Sequence, residues 1–223
     1  MALFLDSADP DEIRSGMDLG IYAGVTTNPV LLSNLRPEDR LERFAEIAKI
    51  CPKSIYLQVS WKTVSEMENQ ALTYVEVAPG RTIIKVPMAA EGLKVCSLLK
   101  TRTVPTCITA VFTPTQAYAA ACAGAHAVAI YVGRISKSGA DGVAVIRQVA
   151  DMFAAAELST SILAASIPDI DTLIQILSVP RVDATIPFRL QESLLHSKGT
   201  DEAIEEFTAA ARGSTNQPAG LQS

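Results

Sequence analysis

The chain has 223 residues, of which 48% are hydrophobic, and this is enough to bury the core of one α/β barrel without a second domain. Its formal net charge is -5, from 19 Lys and Arg against 24 Asp and Glu. No basic run occurs, which argues against nucleic acid or an anionic membrane as the main partner. The first ten residues form an acidic stretch rather than a basic leader, and no long apolar segment follows. We therefore expect a cytoplasmic protein that acts on a small molecule.

Short apolar runs rich in β-branched residues alternate with helical patterns from end to end. The eight predicted strands are residues 2–6, 23–27, 55–59, 82–86, 106–110, 127–132, 161–165 and 183–187. Strands that are apolar throughout are typical of a parallel sheet covered on both faces. Eight βα units in this length predict a (β/α)8 TIM barrel. The alternative, a doubly wound open sheet, lacks a G-x-G-x-x-G motif after the first strand.

Helices are predicted from their start signals and from apolar periodicity. The start signals are Asp9 before Pro10, Thr63 with Glu66, and Thr113 with Pro114 and Gln116. Apolar residues at helical spacing predict another helix over 139–156. A C-terminal extra helix is predicted to end at Gly213. The prediction is therefore one domain over 1–212, which includes that helix, and a flexible tail over 213–223.

Cysteine and histidine are sparse. The four cysteines lie far apart without a C-x-x-C motif, which predicts reduced thiols. The two histidines, His126 and His196, form no cluster, so neither a metal site nor a Ser-His-Asp triad is predicted. The chemistry must use other acids and bases, and no cofactor is expected.

Polar side chains are concentrated at the carboxyl ends of the predicted strands. In a barrel these ends line one mouth, where catalytic groups from several strands meet. Seven of the eight strands end in polar residues, whereas the eighth ends only in Pro187. The polar residues are Asp6, Thr26, Thr27, Asn28, Gln58, Lys85, Thr109, Tyr131, Arg134 and Ser166. This concentration on one rim predicts a site.

Most of these residues also have a structural alternative. Asp6 could open the following turn, Ser166 could cap the next helix, and Arg134 could be a solvated loop charge. Thr26 and Asn28 could cap the loop that follows them.

Lys85 is different because it lies inside a strand, where no cap or turn role exists. A buried lysine is rarely without a partner or a function. Desolvation favours the neutral amine, which is the nucleophile that attacks carbonyls to form an iminium. The iminium allows a neighbouring carbon–carbon bond to break, and a carboxylate and a phenol could move the protons. The residues thus predict a Schiff-base lysine at Lys85, with Asp6 and Tyr131 as proton-transfer candidates.

Several motifs resemble the transaldolase family in order and spacing, and in particular its short branch, which contains fructose-6-phosphate aldolase and the small transaldolases. These are FLDSADPDEI, GVTTNPVLL, IIKVPMAAEGL, ITAVFTPTQA, YVGRI and LAAS. The resemblance covers residues 2 to about 210 and implies a class I, metal-free Schiff-base barrel that acts on sugar phosphates or aldehydes. It also implies a homo-oligomer, commonly a decamer, with the terminal helix reaching a neighbour.

The resemblance assigns roles position by position. Lys85 matches the Schiff-base lysine, and Asp6 matches the acidic residue of the first strand. Arg134 matches the arginine that holds the substrate phosphate, which suits the fork geometry of a guanidinium. The other matches are to polar positions near the substrate, namely Thr26, Asn28, Thr109 and Ser166.

Gln58 and Tyr131 favour the aldolase over the transferase. The small transaldolases typically have Glu and Phe at these two positions, whereas this chain has the amide and the phenol of fructose-6-phosphate aldolase.

The sequence departs from the family pattern at Pro168, where relatives often carry a basic residue. Three interpretations stay open: an aldolase that splits a ketose phosphate to dihydroxyacetone and glyceraldehyde 3-phosphate, a transaldolase, and a non-catalytic barrel that binds a sugar phosphate.

Overall fold

The computed structural model of the chain describes residues 1–213. Its centre is a closed barrel of eight strands that pair in parallel in chain order. The strands are β1 Leu3–Asp6, β2 Gly24–Thr26, β3 Ser54–Gln58, β4 Thr82–Pro87, β5 Thr106–Val111, β6 Ala127–Tyr131, β7 Ser161–Ala165 and β8 Val182–Pro187. Every strand lies within one residue of its predicted bounds, so the predicted (β/α)8 TIM barrel is confirmed.

Helices connect consecutive strands and cover the outside of the barrel. They are α1 Pro10–Asp18, α2 Arg40–Ile50, α3 Val64–Val75, α4 Ala90–Thr101, α5 Pro114–Cys122, α6 Val132–Lys137, α7 Gly142–Ala155, α8 Ile170–Leu177, α9 Gln191–Leu195 and α10 Lys198–Gly213. Two short 3-10 helices, Pro37–Asp39 and Phe188–Leu190, precede α2 and α9. None of these elements is both long and apolar enough to cross a membrane.

The C-terminal helix is present as predicted, as α10. Apart from Gly213, which ends that helix, the predicted tail over 213–223 lies outside the described residues. The helix predicted over 139–156 begins only at Gly142, because the Asp141 side chain accepts a hydrogen bond from the amide of Ala144 and so caps α7 there.

The predicted helix starts are found, with one difference. Asp9 caps α1, and Thr63 begins α3 with a complete capping box. Thr113 caps α5, but the side-chain oxygen of Gln116 accepts from the amide of Phe112 rather than from that of Thr113. The box at α5 is therefore incomplete.

Two apolar cores follow from the alternation of side chains along each strand. Outward-facing residues such as Val25, Ile84 and Ile130 pack against the helices. Inward-facing residues form a second cluster inside the barrel, in which the rings of Phe4 and Tyr56 meet edge to face at 5.3 Å. We call this second cluster the barrel floor; its members are Phe4, Tyr56, Ile83, Cys107, Ala127, Ala129, Leu163 and Ala165.

Candidate active site

A cavity of about 440 Å³ opens at the carboxyl ends of the strands. Of the ten polar residues predicted at the mouth, seven line it: Asp6, Asn28, Gln58, Lys85, Tyr131, Arg134 and Ser166. Thr26, Thr27 and Thr109 lie behind the lining, and each forms a hydrogen bond with a residue that belongs to it. The barrel thus brings together side chains from seven strands and their following loops, as the concentration of polar residues predicted.

Lys85 lies on β4 between the cross-strand neighbours Gln58 and Cys107. It is only 3% exposed, and its Nζ donates a 2.9 Å hydrogen bond to the backbone carbonyl oxygen of Thr27. No salt bridge within residues 1–213 involves Lys85. A buried amine that lines a cavity and is held by a neutral carbonyl is placed to react with a ligand in that cavity.

A glycine allows the helix after β4 to begin close to the strand. A Cβ at Gly92 would collide with the carbonyl oxygen of Pro87. Only glycine therefore permits α4 to pack against the end of β4 at this point. The close contact between Pro87 of KVP and Gly92 of EGL explains why these two motifs occur at this spacing. It holds α4 against the end of β4, the strand that carries Lys85.

The Asp6 carboxylate is held by the last residue of β2 and by the loop that follows. Thr26 donates to Asp6 Oδ1 at 2.8 Å, and the amide nitrogen of Asn28 lies 3.4 Å from both Asp6 oxygens. The side-chain oxygen of Asn28 accepts from the backbone amides of Val30 and Leu31, which orients its amide group toward Asp6. Asp6 does not cap the next helix, because Asp9 does.

Tyr131 ends β6 and brings its hydroxyl to Thr109. The Thr109 hydroxyl donates to the phenol oxygen at 3.1 Å, which leaves the phenol hydrogen available for another acceptor in the cavity. The guanidinium carbon of Arg134 lies 4.8 Å above the Tyr131 ring, and the Phe112 ring packs at 5.8 Å. These contacts fix the ring, and the cation above it faces the same cavity.

Arg134 lies on α6, a six-residue helix that the sequence analysis did not predict. The amide of Gly133 donates to the carbonyl oxygen of Ser166 at 3.0 Å, and a Cβ at Gly133 would collide with that oxygen. The glycine of YVGRI thus lets α6 touch the end of β7, which brings Arg134 and Ser166 to one side of the cavity. Arg134 is exposed, but on a helix rather than in a loop.

Two cavity residues have the left-handed backbone conformation without being glycine. Ala110 has φ 59° and Ser166 has φ 60°. Such conformations cost on the order of 1 kcal/mol and are frequent at functional sites. At Ala110 the strand register of β5 also shifts, between Ile108 and Val111. Ser166 is not the cap of α8, since Asp169 accepts from the amide of Thr172 in that role.

Gln58 contributes an unpaired polar atom. Its side-chain oxygen is buried, and no hydrogen-bond partner for it exists among the described residues. Since Gln58 lines the cavity beside Lys85, a donor from a bound molecule can satisfy this oxygen.

The thiol of Cys107, the cross-strand neighbour of Lys85, is not a nucleophile at neutral pH. Burial raises the pKa of Cys107 to about 12, although the nearby Lys85 acts in the opposite direction. Cys107 thus keeps its proton at neutral pH. All four cysteines are free, as predicted. Residues 1–213 contain no group of three His, Cys, Asp or Glu side chains placed to hold a metal ion.

The sequence analysis missed three residues around the site. Thr185 lies on β8, is 2% exposed and lines the cavity. The sequence did not indicate Thr185, because it lies two residues before the end of β8 within an apolar run. Side chains alternate along a strand, however, so Thr185 points to the same side of β8 as Pro187. Lys137 and Arg189 line an adjoining cavity of about 210 Å³, which shares Asp6, Ser166 and Thr185 with the first.

Comparison with known proteins places this geometry in context. A family model described as Transaldolase/Fructose-6-phosphate aldolase matches residues 3–221. Probable transaldolase 2 of Bacillus anthracis is 36% identical over 217 residues, which cover 94% of this chain and 96% of that protein. The probable transaldolases of Moorella thermoacetica and Halalkalibacterium halodurans are each 37% identical, over 94% and 93% of this chain and 96% and 97% of their own lengths.

Proposed function

Since the chain belongs to the transaldolase/fructose-6-phosphate aldolase family, we propose that it is a Schiff-base aldolase of the fructose-6-phosphate aldolase type. It reversibly cleaves a ketose phosphate to dihydroxyacetone, or a similar ketone, and glyceraldehyde 3-phosphate. The observation that carries this proposal is the buried Lys85 amine in one cavity with the Asp6 carboxylate and the Tyr131 phenol. No metal or organic cofactor takes part in the proposed reaction.

The proposed reaction begins with the amine of Lys85. Its nitrogen attacks the ketone carbonyl, and loss of water gives an iminium. Asp6 takes the proton of the hydroxyl beyond the scissile bond, the carbon–carbon bond breaks, and its electron pair moves toward the iminium to give an enamine and a free aldehyde. Protonation of the enamine carbon restores the iminium, and water then releases the ketone and the free amine.

Polar groups around Lys85 supply the proposed substrate contacts. Asn28 and Thr26, which already hold Asp6, lie where hydroxyls of the three-carbon donor would pass. Arg134 and Ser166 lie together on another side and would bind the phosphate. A guanidinium and a hydroxyl are suited to phosphate oxygens, because both donate charge-assisted hydrogen bonds to them.

Gln58 and Tyr131 support release of the donor rather than its transfer. Release requires that the enamine be protonated at carbon, a step that transfer to a second aldehyde omits, and a positioned water can relay this proton. The free phenol hydrogen of Tyr131 and the unpaired oxygen of Gln58 are a donor and an acceptor facing the same cavity. We propose that these two groups hold that water.

A transaldolase is the second candidate function. It would pass the same three-carbon unit from one sugar phosphate to another, and the names of the relatives, which are probable transaldolases, favour it. The third candidate, a non-catalytic barrel that binds a sugar phosphate, has no use for a buried amine in its cavity.

Product analysis with fructose 6-phosphate, with and without erythrose 4-phosphate, distinguishes the three candidate functions. The aldolase releases free dihydroxyacetone without an acceptor sugar. A transaldolase forms product only when erythrose 4-phosphate is added and releases no free dihydroxyacetone. A binding barrel gives no product in either case and no borohydride-trapped adduct on Lys85.

A further inference from the structure

We propose that Thr185 is a positioning residue for the Asp6 carboxylate and that it acts through the hydroxyl of Thr26. The inference rests on the proposed function, in which Asp6 moves protons. Thr185 itself holds no proton that the reaction consumes. Its role is to orient the hydroxyl that orients the carboxylate.

The barrel brings the two threonines together beneath Asp6. β1 lies between β2 and β8, so Thr26 and Thr185 flank it from opposite sides. In (β/α)8 barrels, interior side chains of alternate strands share a layer, and β2 and β8 are both even-numbered strands. The two side-chain oxygens are 2.7 Å apart, and Thr26 Oγ1 is 2.8 Å from Asp6 Oδ1.

The donor in the contact between Thr185 and Thr26 follows from the number of hydroxyl hydrogens. Each threonine hydroxyl has one hydrogen, and that of Thr26 is donated to Asp6. The hydrogen in the contact between the two threonines must then come from Thr185. Because a hydroxyl that accepts a hydrogen bond becomes a better donor, Thr185 strengthens the bond from Thr26 to the carboxylate.

The same chain can serve the protonated carboxyl. When Asp6 has taken up a proton, it can donate to Thr26, which then donates to Thr185. Thr185 lines the cavity and can pass its own hydrogen to an acceptor there. The two hydroxyls therefore keep Asp6 in one orientation through both of its charge states.

The partner of Thr185 differs from those of the buried threonines away from Asp6. Thr82 on β4 donates to the carbonyl oxygen of Ala78, Thr27 after β2 donates to that of Tyr56, and Thr106 on β5 contacts the thiol of Cys96. Thr185 instead contacts a side chain that holds Asp6, and it lines both cavities at the mouth.

The test is Thr185→Val, which removes the hydroxyl and keeps the size and branching of the side chain. We expect kcat to fall by about 5- to 20-fold, the size of one lost hydrogen bond, and KM to change by less than about twofold, since the substrate contacts remain. Thr185→Ser should recover most of kcat because it restores the donor. Thr82→Val is the matched control, a buried strand threonine away from the mouth, and should leave both parameters unchanged.

A double-mutant cycle tests whether Thr185 acts on Asp6 through Thr26. Thr26→Val should cost more than Thr185→Val, and the two together should cost no more than Thr26→Val alone, because Thr185 acts only through Thr26. Additive losses, a loss confined to KM, or an unchanged kcat in Thr185→Val would each overturn the proposal. Should Thr185→Val not fold, Thr185→Ala removes the same hydroxyl and must give the same loss.

Failure of the proposed function is recognised separately in the wild-type protein. If borohydride and dihydroxyacetone leave Lys85 unlabelled, the Schiff-base function is wrong irrespective of Thr185. If Lys85 is labelled and the wild type turns over by either cleavage or transfer, the effect of Thr185→Val is measured on that activity, because both reactions use Asp6 in the proposed mechanism.

Discussion

The Nζ of Lys85 donates a hydrogen bond of 2.9 Å to the backbone carbonyl oxygen of Thr27, a residue of the loop that also holds Asp6. The Lys85 amine and the Asp6 carboxylate are thus positioned by neighbouring residues of one short segment. Because a carbonyl can only accept, this contact directs the nitrogen without neutralising it by an opposite charge. Chemistry at Lys85 therefore depends on the conformation of GVTTNP.

Lys85 should carry the covalent intermediate. Borohydride with dihydroxyacetone or fructose 6-phosphate is expected to add one donor-derived mass to a peptide that contains Lys85. Lys85→Met should abolish both labelling and turnover, and Lys85→Arg should fail as well, because a guanidinium stays protonated and cannot attack a carbonyl. The exposed Lys94→Met is the control and should behave as the wild type. Label on another lysine would contradict the assignment.

Tyr131→Phe should separate cleavage from transfer. The change removes the phenol hydrogen that faces the cavity and is expected to lower release of dihydroxyacetone by about 100-fold or more, the usual size of one acid–base contribution. Transfer to an added aldose phosphate should be largely spared, because the enamine then attacks the second aldehyde and need not be protonated at carbon. Tyr118→Phe, on the exposed face of α5, should change neither rate. Equal losses of cleavage and transfer would show that the phenol does not serve release.

Arg134→Ala should weaken phosphorylated substrates selectively. Charge-assisted bonds to phosphate imply a loss of roughly 10- to 100-fold in kcat/KM for them, with little effect on unphosphorylated aldehydes. Equal losses for both classes would refute the phosphate role.

Pro168 stands where the family resemblance implies a second cation, so substantial activity on unphosphorylated acceptors is expected. Another cation does lie at this end of the cavity, because Arg189 Nη2 donates to the carbonyl oxygen of Pro168 at 2.9 Å. If phosphate proves strictly required, Arg189→Gln should relax that requirement; a strict requirement that survives in this variant would show that Arg189 is not the second cation.

Stability should fall at alkaline pH. The Cys107 thiol ionises near 9 when unfolded, but burial raises its pKa to about 12 in the folded protein. Between these values the unfolded state binds fewer protons than the folded state, so the free energy of unfolding decreases as pH rises from about 9 to 12. Cys107→Val should flatten this decline in Tm against pH, whereas the exposed Cys122→Ser should not. Part of the decline should persist, because burial also raises the pKa of Tyr22 to about 12.

The terminal helix should support a homo-oligomer, which the family resemblance implies. Ile204 and Phe207 on α10 are 56% and 70% exposed, and large apolar side chains at this exposure are favoured at interfaces. Light scattering on the wild type is expected to give a mass several times that of one chain, and Phe207→Glu should lower it. A wild type that is monomeric at micromolar concentration would contradict this prediction.

The strands and most of the residues that line the cavity could be predicted because both depend on local patterns. Apolar β-rich runs determined the strand bounds, and polar residues at strand ends identified the mouth before any contact was known. α6 escaped prediction because six residues carry too little periodicity, and its position depends on the contact between Gly133 and Ser166. The left-handed conformations of Ala110 and Ser166 are set by tertiary packing, since neither residue type favours them.

The rings of Phe4 and Tyr56 fill the barrel below the level of Lys85, and the rest of the barrel floor packs around them. Every molecule that reaches the amine must therefore enter, and every product must leave, through the mouth. In the proposed mechanism, the first aldehyde must therefore leave through this mouth before a second one can approach the three-carbon fragment on Lys85. Release of one aldehyde would then precede binding of the next, because both use the same opening.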